Sequence, residues 1–266
     1  MQHLYRFLSY IRHYLTAWNT GGEGIHSPYL FYLVRMLLYD DNAYYIWNDI
    51  EKQRRQLLSN NNLIKVNDLG TGRNKPDVRR ISDIAHNSLE QPRMAQLLFR
   101  YVLFLSQNNK QPLNILELGT SLGITTAYMA TADSKNKINT IEGSQTIAHI
   151  AQNNWQQLHL NNINLFVGNI DDILPELINE HTNWDIVFVD ANHTYEATIR
   201  YWQWLRPYKQ QKSIFVFDDI HASHGMYKAW KEIIAHPDVT SSFDLFHMGL
   251  VFFDKHYIKK HYRLRY

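Results

Sequence analysis

Short apolar runs alternate with amphipathic stretches over the second half of the chain. This alternation predicts a parallel sheet with helices on both faces. Each run has the length of one strand, and the stretch after it repeats apolar residues every three or four positions, as a helix does. The predicted strands cover residues 114–118, 138–142, 163–167, 185–190 and 213–218. The predicted helices cover residues 124–132, 145–159, 173–180, 196–205 and 226–236.

Two further β-rich runs, 242–246 and 250–253, meet at Met248-Gly249 and predict an antiparallel hairpin that closes one sheet edge. They bring the expected sheet to seven strands. The segment 257–266 alternates aromatic or apolar residues with basic ones. A charged edge strand or a frayed terminus is favoured there over a nucleic-acid contact.

Residues 1–110 are expected to be a mainly helical extension that caps the substrate side, and residues 111–266 to be the main domain. The first helix carries apolar residues at helical spacing, namely Leu4, Phe7, Leu8, Ile11, Leu15 and Trp18. Packing of this helix on the main domain is favoured over a place on a membrane surface. Ser27 and Pro28 predict the start of a second helix over 29–39. Further helices are expected over 50–58 and 94–106.

Composition excludes several classes of function. The formal net charge of +2 is too small, and the basic residues too scattered, to favour nucleic-acid binding. The chain has no cysteine, so disulfides, thiol catalysis and thiolate metal sites are all excluded. No apolar run approaches the length that crosses a bilayer, and no signal peptide is expected. We therefore expect a cytoplasmic protein without a membrane partner.

A glycine turn follows the first predicted strand, in the segment Glu117–Gly123, and the next strand ends in a second acid, Glu142. Strand, glycine turn, helix, strand and terminal carboxylate is the order by which a Rossmann-like sheet binds an adenosine-containing cofactor. A second glycine pair, in 68–72, lacks such a downstream strand and acid. The sequence therefore favours the turn at 117–123 as the cofactor site.

The turn has the spacing Gly119-x-x-x-Gly123, without the third glycine that dinucleotide enzymes place at the helix start. No basic residue stands near it to hold a phosphate. Glu117 would repel a pyrophosphate and favour a cationic ligand instead. These features point away from a nicotinamide cofactor and towards a sulfonium compound.

The order of these motifs resembles the class I S-adenosylmethionine-dependent methyltransferases, over about residues 95–254. The resemblance implies that the first motif lines the methionine part of the cofactor, and that Glu142 binds the ribose hydroxyls. It implies that Asn169 and Ile170 contact the adenine. Within the superfamily, segments 188–195 and 217–221 are most similar to the metal-dependent O-methyltransferases of the catechol and caffeoyl-CoA type. The cofactor-binding residues so implied are Glu117, Gly119, Thr120, Ser121, Gly123, Glu142, Gly143, Asn169, Ile170 and Asp190.

Three carboxylates follow the fourth and fifth strands, Asp190 on one and Asp218 with Asp219 on the other. If these strands are neighbours, the carboxylates repel one another unless a cation lies among them. Oxygen ligands favour a hard ion, most plausibly Mg²⁺, which would activate a substrate hydroxyl. His193 stands where the catechol-type relatives carry a lysine base, so we expect His193 and Asp190 to be catalytic.

This substitution argues against a simple catechol as the substrate. A capping role for Asp218 or Asp219, and an ordinary loop role for His193, stay as alternatives. His221 and His224 are expected to be solvated loop residues rather than further ligands.

The function that these residues favour is metal-assisted O-methylation of a small hydroxylated molecule. Two alternatives remain: a metal-independent or amine-directed methyltransferase, and a non-catalytic module that binds S-adenosylmethionine. The aromatic-rich helices between residues 29 and 47 could support a homodimer. The segment Gly24-Ile25-His26-Ser27-Pro28 resembles a subfamily signature, but no mechanism follows from it.

Overall fold

The computed structural model describes residues 2–18, 21–40, 42–66, 77–180, 183–257 and 259–266. The glycine pair in 68–72 lies outside them. The helices are α1 (Gln2–Thr16), α2 (Pro28–Leu33), α3 (Tyr45–Leu58), α4 (Ile81–Ser88), α5 (Pro92–Gln107), α6 (Ile124–Ala132), α7 (Gln145–Gln157), α8 (Ile170–Glu180), α9 (Tyr195–Leu205) and α10 (His224–Ala235). The strands are β1 (Leu63–Lys65), β2 (Val78–Arg80), β3 (Asn114–Leu118), β4 (Lys137–Glu142), β5 (Ile163–Val167), β6 (Trp184–Val189), β7 (Lys209–Asp218), β8 (Ser241–Asp244), β9 (Met248–Phe252) and β10 (Lys260–Arg263).

The chain divides into two compact units. The mid-chain unit is Asn42–His181, and the terminal unit is Met1–Asp41 together with Thr182–Tyr266. A boundary near residue 110 stays a prediction, because this division by contacts does not test it.

In the mid-chain unit, β4 lies between β3 and β5, and both pairings are parallel. The apolar run of β3 is buried over its last four residues, as expected of a strand covered on both faces. The helices of this unit share a buried apolar cluster that includes Ile50, Phe99, Tyr128 and Trp155. Strands β1 and β2 form a separate antiparallel pair. The cluster fixes the helices that follow β3 and β4, and thereby the turns that join them to the strands.

In the terminal unit, the strand order is β6-β7-β9-β8-β10. The β6–β7 pairing is parallel, and β9 is antiparallel to both β7 and β8, which confirms the predicted hairpin. Strand β10 lies beyond the hairpin, parallel to β8, so the tail is an edge strand. The Rossmann-like α/β class is therefore confirmed. Within the described residues, this sheet of the terminal unit has five strands and that of the mid-chain unit has three, whereas the sequence predicts seven in all.

Helix α1 contacts the rest of its unit in a way that its apolar pattern does not predict. The buried residues near its C-terminal end are His13 and Ala17, at 5% and 0% exposure. The six apolar residues that define the predicted face are 39–73% exposed. Helix α1 therefore packs on residues of the main domain, as expected. It does so through the side that carries Arg6, Tyr10 and His13, and not through the apolar face that the sequence predicts.

The segment Gly24-Ile25-His26-Ser27-Pro28 has a structural role within the terminal unit. The Lys260 ammonium of β10 donates to the Gly24 carbonyl at 2.9 Å. The Ser27 hydroxyl accepts from the Leu30 N–H at 3.3 Å, so Ser27 is the N-cap of α2 and Pro28 its first residue, as predicted. The segment thus starts α2 and ties its entry to the edge strand.

None of the described helices is both long and apolar enough to cross a membrane.

Candidate active site

The glycine turn between β3 and α6 is held by the end of β4. The N–H groups of Gly119 and Thr120 both donate to the Ile141 carbonyl, at 3.0 and 3.2 Å. Gly119 and Gly123 have φ angles of 98° and 77°, a region that glycine enters without steric cost. The turn therefore has the backbone that its spacing predicts.

Two side chains of α7 fix the far end of the turn. The Trp155 indole N–H donates to the Gly123 carbonyl at 2.8 Å, and the Asn154 amide donates to the Leu122 carbonyl at 2.9 Å. A Cβ atom on Gly123 would lie 2.6 Å from Trp155 Nε1. Gly123 is therefore required by both its φ angle and its packing. Sequence reasoning did not find Trp155 or Asn154, because their distance from the turn along the chain carries no periodic signal.

Glu142 joins the turn to the start of α7. Its Oε2 accepts from the Ser121 N–H at 2.8 Å, and its Oε1 accepts from the Ser144 N–H at 2.9 Å. The structure brings Glu142 and the turn together as predicted, whereas its contact with a ribose stays a prediction.

Glu117 lies inside the mid-chain unit, with 0% exposure. Its Oε2 accepts from the Thr126 and Thr140 hydroxyls, at 2.5 and 2.6 Å. Thr120 is 2.6 Å from the same Thr140 hydroxyl. Glu117 is therefore a buried anchor beneath the turn in this structure, and its predicted contact with a cofactor stays a prediction.

The turn after β5 is joined to Glu142 through the backbone. The Gly168 N–H donates to the Glu142 carbonyl at 2.9 Å. The Asn169 side chain accepts from the Asp171 N–H at 3.1 Å, and Ile170 is buried at the start of α8. Asn169 and Ile170 thus have a defined position next to the end of β4. Their role towards an adenine stays a prediction, as does that of the half-buried Gly143.

Ser88, at the end of α4, also reaches the turn. Its hydroxyl is 2.7 Å from that of Ser121, whose φ angle of 51° is unusual for a residue other than glycine. This contact was missed from the sequence, since Ser88 stands alone at the end of a short amphipathic helix.

In the terminal unit, Asp190 and Asp218 stand at the carboxyl ends of the neighbouring strands β6 and β7. One ligand atom from each, together with a ring nitrogen of His193, lies within 4.8 Å of the others. His193 Nε2 is 3.3 Å from Asp190 Oδ1. Two carboxylates 4.8 Å apart repel by about 3 kcal/mol at an effective dielectric constant of about 20. The cluster is therefore suited to a cation.

Asp219 lies apart from this cluster. Its Oδ1 accepts from Arg6 Nη2 at 3.1 Å, and the same Nη2 is 3.3 Å from His247 Nδ1. Burial lowers the pKa of His247, and Arg6 lowers it further, so His247 is a neutral acceptor for Arg6 at neutral pH. Asp219, the third predicted metal ligand, therefore forms an ion pair with Arg6 of α1. Arg6 was missed, because 213 residues separate it from Asp219.

The loops that carry these groups contain residues with positive φ angles, namely Asn192 at 60°, His193 at 31° and Asp219 at 52°. Such angles in residues other than glycine cost about 1 kcal/mol or more and are found at functional sites. The Asn192 amide donates to the Tyr201 hydroxyl at 2.5 Å, which holds the loop after β6 in place. The position of His193 is therefore imposed by its surroundings.

The two histidines after Asp219 differ in their environment. His224 is exposed, as predicted. His221 is only 6% exposed, and its Nε2 lies 3.0 and 3.1 Å from the two oxygens of Asp244. The expectation of a solvated His221 is therefore wrong.

A family described as a methyltransferase domain matches residues 116–220. The resemblance to methyltransferases is confirmed. A catechol O-methyltransferase of Niastella koreensis is 34% identical over 113 residues, which are 41% of this chain and 50% of that protein. The chain thus spans about half the length of this curated relative.

Solved structures support the same fold. An O-methyltransferase from Bacillus cereus in complex with SAH has a TM-score of 0.55 at 16% identity, covering 82% of this chain and 94% of that one. TomG from Streptomyces achromogenes, solved with SAM, has a TM-score of 0.56 at 17% identity, with 80% and 91% covered. Methyltransferase PaMTH1 from Podospora anserina, bound to SAH, has a TM-score of 0.57 at 12% identity, with 86% and 97% covered. At these identities the likeness concerns the fold.

Proposed function

We propose that this protein is an S-adenosylmethionine-dependent O-methyltransferase that uses a divalent cation to methylate a small hydroxylated molecule. The observation that carries the proposal is the convergence of Asp190, His193 and Asp218 at the ends of two parallel strands. A methyltransferase domain alone says nothing of the acceptor atom. Two carboxylates beside an imidazole are suited to binding a metal and removing a proton, which is what a hydroxyl acceptor requires.

The cofactor is assigned to the mid-chain unit. In the turn from Gly119 to Gly123, the Thr120 and Leu122 side chains are buried at 3% and 0% exposure, and Glu142 is fixed by two N–H donors. A carboxylate held in this way is suited to accepting hydrogen bonds from a ribose. Gly143, Asn169 and Ile170 would complete the adenosine site. The relatives solved with SAM or SAH support this assignment.

The cation is assigned to Asp190 and Asp218. Their oxygens are the ligands that Mg²⁺ prefers, and the half-buried Asp190 and the buried Asp218 are partly shielded from water. Asp219 would become a third ligand only after its ion pair with Arg6 breaks. The bound cation would supply a lower pKa for a coordinated substrate hydroxyl.

His193 is assigned as the base that takes the proton from the substrate hydroxyl. Its side chain is 35% exposed, so a substrate can reach the ring. The Asp190 carboxylate, 3.3 Å from Nε2, orients the ring. An imidazole has an ordinary pKa of about 6.5, which suits proton acceptance near neutral pH.

The acceptor is assigned as a small hydroxylated molecule, by analogy with the relative named catechol O-methyltransferase. A homodimer and a cytoplasmic location remain predictions from the sequence.

The test is transfer of a labelled methyl group to a set of small hydroxylated molecules, with Mg²⁺ present or with excess chelator. We expect the chelator, Asp190→Asn and Asp218→Asn each to lower kcat/KM by about 100-fold or more. Asp238→Asn is the matched control, since Asp238 is a carboxylate of the same unit paired with Lys209. Full activity in excess chelator and in an Asp190→Asn/Asp218→Asn double variant would show that no metal takes part.

The variant His193→Gln distinguishes a role of His193 as the base from a role as a metal ligand. Loss of the base lowers kcat and flattens its pH profile while leaving the Mg²⁺ requirement unchanged. A weaker apparent Mg²⁺ affinity with an unchanged pH profile would make His193 a ligand instead. Calorimetry with S-adenosylmethionine and with NAD tests the cofactor, and tight binding of NAD alone would overturn the proposal.

A further inference from the structure

A second cluster of metal-ligating side chains is buried in the terminal unit. It consists of His13 on α1, His221 in the loop after β7 and Asp244 at the end of β8, each at most 6% exposed. One ligand atom of each lies within 4.8 Å of the others. These residues are separate from the cluster at Asp190 and have no part in the proposed methyl transfer.

The hydrogen bonds of His13 leave a lone pair directed at a carboxylate. Its Nε2 is 3.1 Å from the Leu264 carbonyl oxygen, which can only accept, so Nε2 carries the proton. Its Nδ1 is 3.3 Å from Asp244 Oδ1, yet it is buried and makes no hydrogen bond among the described residues. A neutral ring in this position would place its Nδ1 lone pair against a negative charge. A cation between the two atoms removes that conflict.

The other two members are also oriented by a second contact. The ring of His221 stacks between Tyr227 and Phe246, with centroids 4.8 and 4.9 Å away. Asp244 Oδ1 accepts from the Phe246 N–H at 3.0 Å. Metal ligands in proteins are typically fixed by such outer contacts, and His13 has one in the Leu264 carbonyl.

The charge and the spacing of the cluster both suit a metal ion. Asp244 is a carboxylate at 5% exposure that lies between two imidazole rings. The nitrogen-to-oxygen distances from Asp244 to the two histidines are 3.0–3.3 Å. Ligands about 2.0–2.1 Å from a tetrahedral ion are about 3.3 Å apart.

A cavity of about 200 Å³ adjoins the cluster and leaves room for a further ligand. His13 and His221 both line it, together with Tyr5, Arg12, Tyr227 and Arg263. Three protein ligands beside an open position are typical of non-structural zinc sites. Arg263 Nε is 3.8 Å from Asp244 Oδ2, so an anion or hydroxide in the open position would offset the added positive charge.

We propose that His13, His221 and Asp244 bind a divalent transition-metal ion, Zn²⁺ or one of similar preference, with one coordination position open to this cavity. Two imidazoles and one carboxylate select such an ion over Mg²⁺, which the oxygen-rich cluster at Asp190 prefers. The ion links α1 to the sheet through β8. The alternative to a bound ion is a proton on His13 Nδ1, between this nitrogen and Asp244.

The test is a titration of the whole protein, first stripped with a chelator, with Co²⁺ followed by its visible absorption and with Zn²⁺ as competitor. We expect one equivalent of Co²⁺ to give the intense bands of a four-coordinate site, and Zn²⁺ to remove them. His13→Ala and Asp244→Asn should each weaken Co²⁺ binding by about 100-fold or more. Asp190→Asn should leave the bands unchanged.

His224→Ala is the matched control, because His224 lines the same cavity but lies outside the cluster. The wild-type titration stands even if a cluster variant fails to fold. No stoichiometric Co²⁺ binding, or only the weak bands of a six-coordinate ion, overturns the proposal in favour of a proton. Bands that survive His13→Ala but vanish in Asp190→Asn also overturn it, because the ion then belongs to the other cluster.

Discussion

Gly123 offers a sharp test of how the cofactor turn is built. In Gly123→Ala, the new Cβ would lie 2.6 Å from Trp155 Nε1 and 2.8 Å from Ala151 Cβ. Neither neighbour moves easily, because Trp155 is 4% exposed and Ala151 belongs to α7. The residue also has a φ angle of +77°. The substitution therefore adds backbone strain and a steric clash at one point.

The magnitude follows from these two terms. A residue with a Cβ in the left-handed region costs about 1–2 kcal/mol. Forcing an extra methyl group into a filled site costs about 1–3 kcal/mol. The free energy of unfolding of Gly123→Ala should therefore fall by about 2–5 kcal/mol, a large part of the 5–15 kcal/mol that stabilises most domains.

The measurement is urea denaturation followed by circular dichroism and by tryptophan fluorescence, alongside calorimetry with S-adenosylmethionine. Gly225→Ala is the control, since its Cβ would meet nothing closer than 3.6 Å and Gly225 stands in the first turn of α10. It should be neutral or stabilise by up to about 1 kcal/mol. In a Trp155→Leu background, Gly123→Ala should cost less, because part of the clash is gone.

The reasoning is refuted if Gly123→Ala and Gly225→Ala have the same denaturation midpoint as the wild type. It is also refuted if the cost of Gly123→Ala is unchanged in the Trp155→Leu background, because the contact with the indole ring then contributes nothing.

Three further substitutions have defined outcomes. Glu142→Gln replaces an acceptor with a donor and should weaken S-adenosylmethionine binding by about 10- to 100-fold in calorimetry, with an unchanged circular dichroism spectrum as control. Ser27→Ala removes the N-cap hydroxyl that accepts from the Leu30 N–H, and should lower the free energy of unfolding by about 1 kcal/mol in urea denaturation. An unchanged free energy of unfolding would show that the cap contributes no stability. A hydrogen bond from Lys209 lowers the pKa of Asp238, so this group contributes stability above its unfolded pKa of about 3.9 and loses it as the pH falls towards the folded value. Asp238→Asn should therefore cost less than about 1 kcal/mol at pH 7 and nothing near pH 2, and an equal cost at both pH values would contradict this account.

The strands at the cofactor turn could be predicted from the sequence almost to the residue. Runs such as 114–118 and 163–167 are short, mainly apolar and followed directly by glycine, which favours a strand. Strand β7 begins four residues earlier than predicted, because the polar residues of 209–212 lack an apolar pattern but still pair with β6 at Lys209. For strand β10 the alternation of aromatic and basic residues fits both an edge strand and a frayed end, so the sequence does not decide between them.

The candidate site was predictable only where its residues belong to one motif. The turn, Glu142, Asp190 and Asp218 follow strands directly, so the sheet brings each near its predicted neighbours. The contact of Arg6 with Asp219 joins residues that no periodicity relates. The burial of His221 likewise depends on Asp244 and on α1.

The contact between His13 and Leu264 has a consequence for synthesis of the chain. The two residues are 251 positions apart, so α1 has no carbonyl partner at residue 264 until β10 has been made. At about 5–20 residues per second, this interval is roughly 10–50 s. During that time α1, which carries the exposed Leu4, Leu8 and Leu15, is not yet docked. Helix α1 should therefore stay sensitive to proteolysis until β10 has been made.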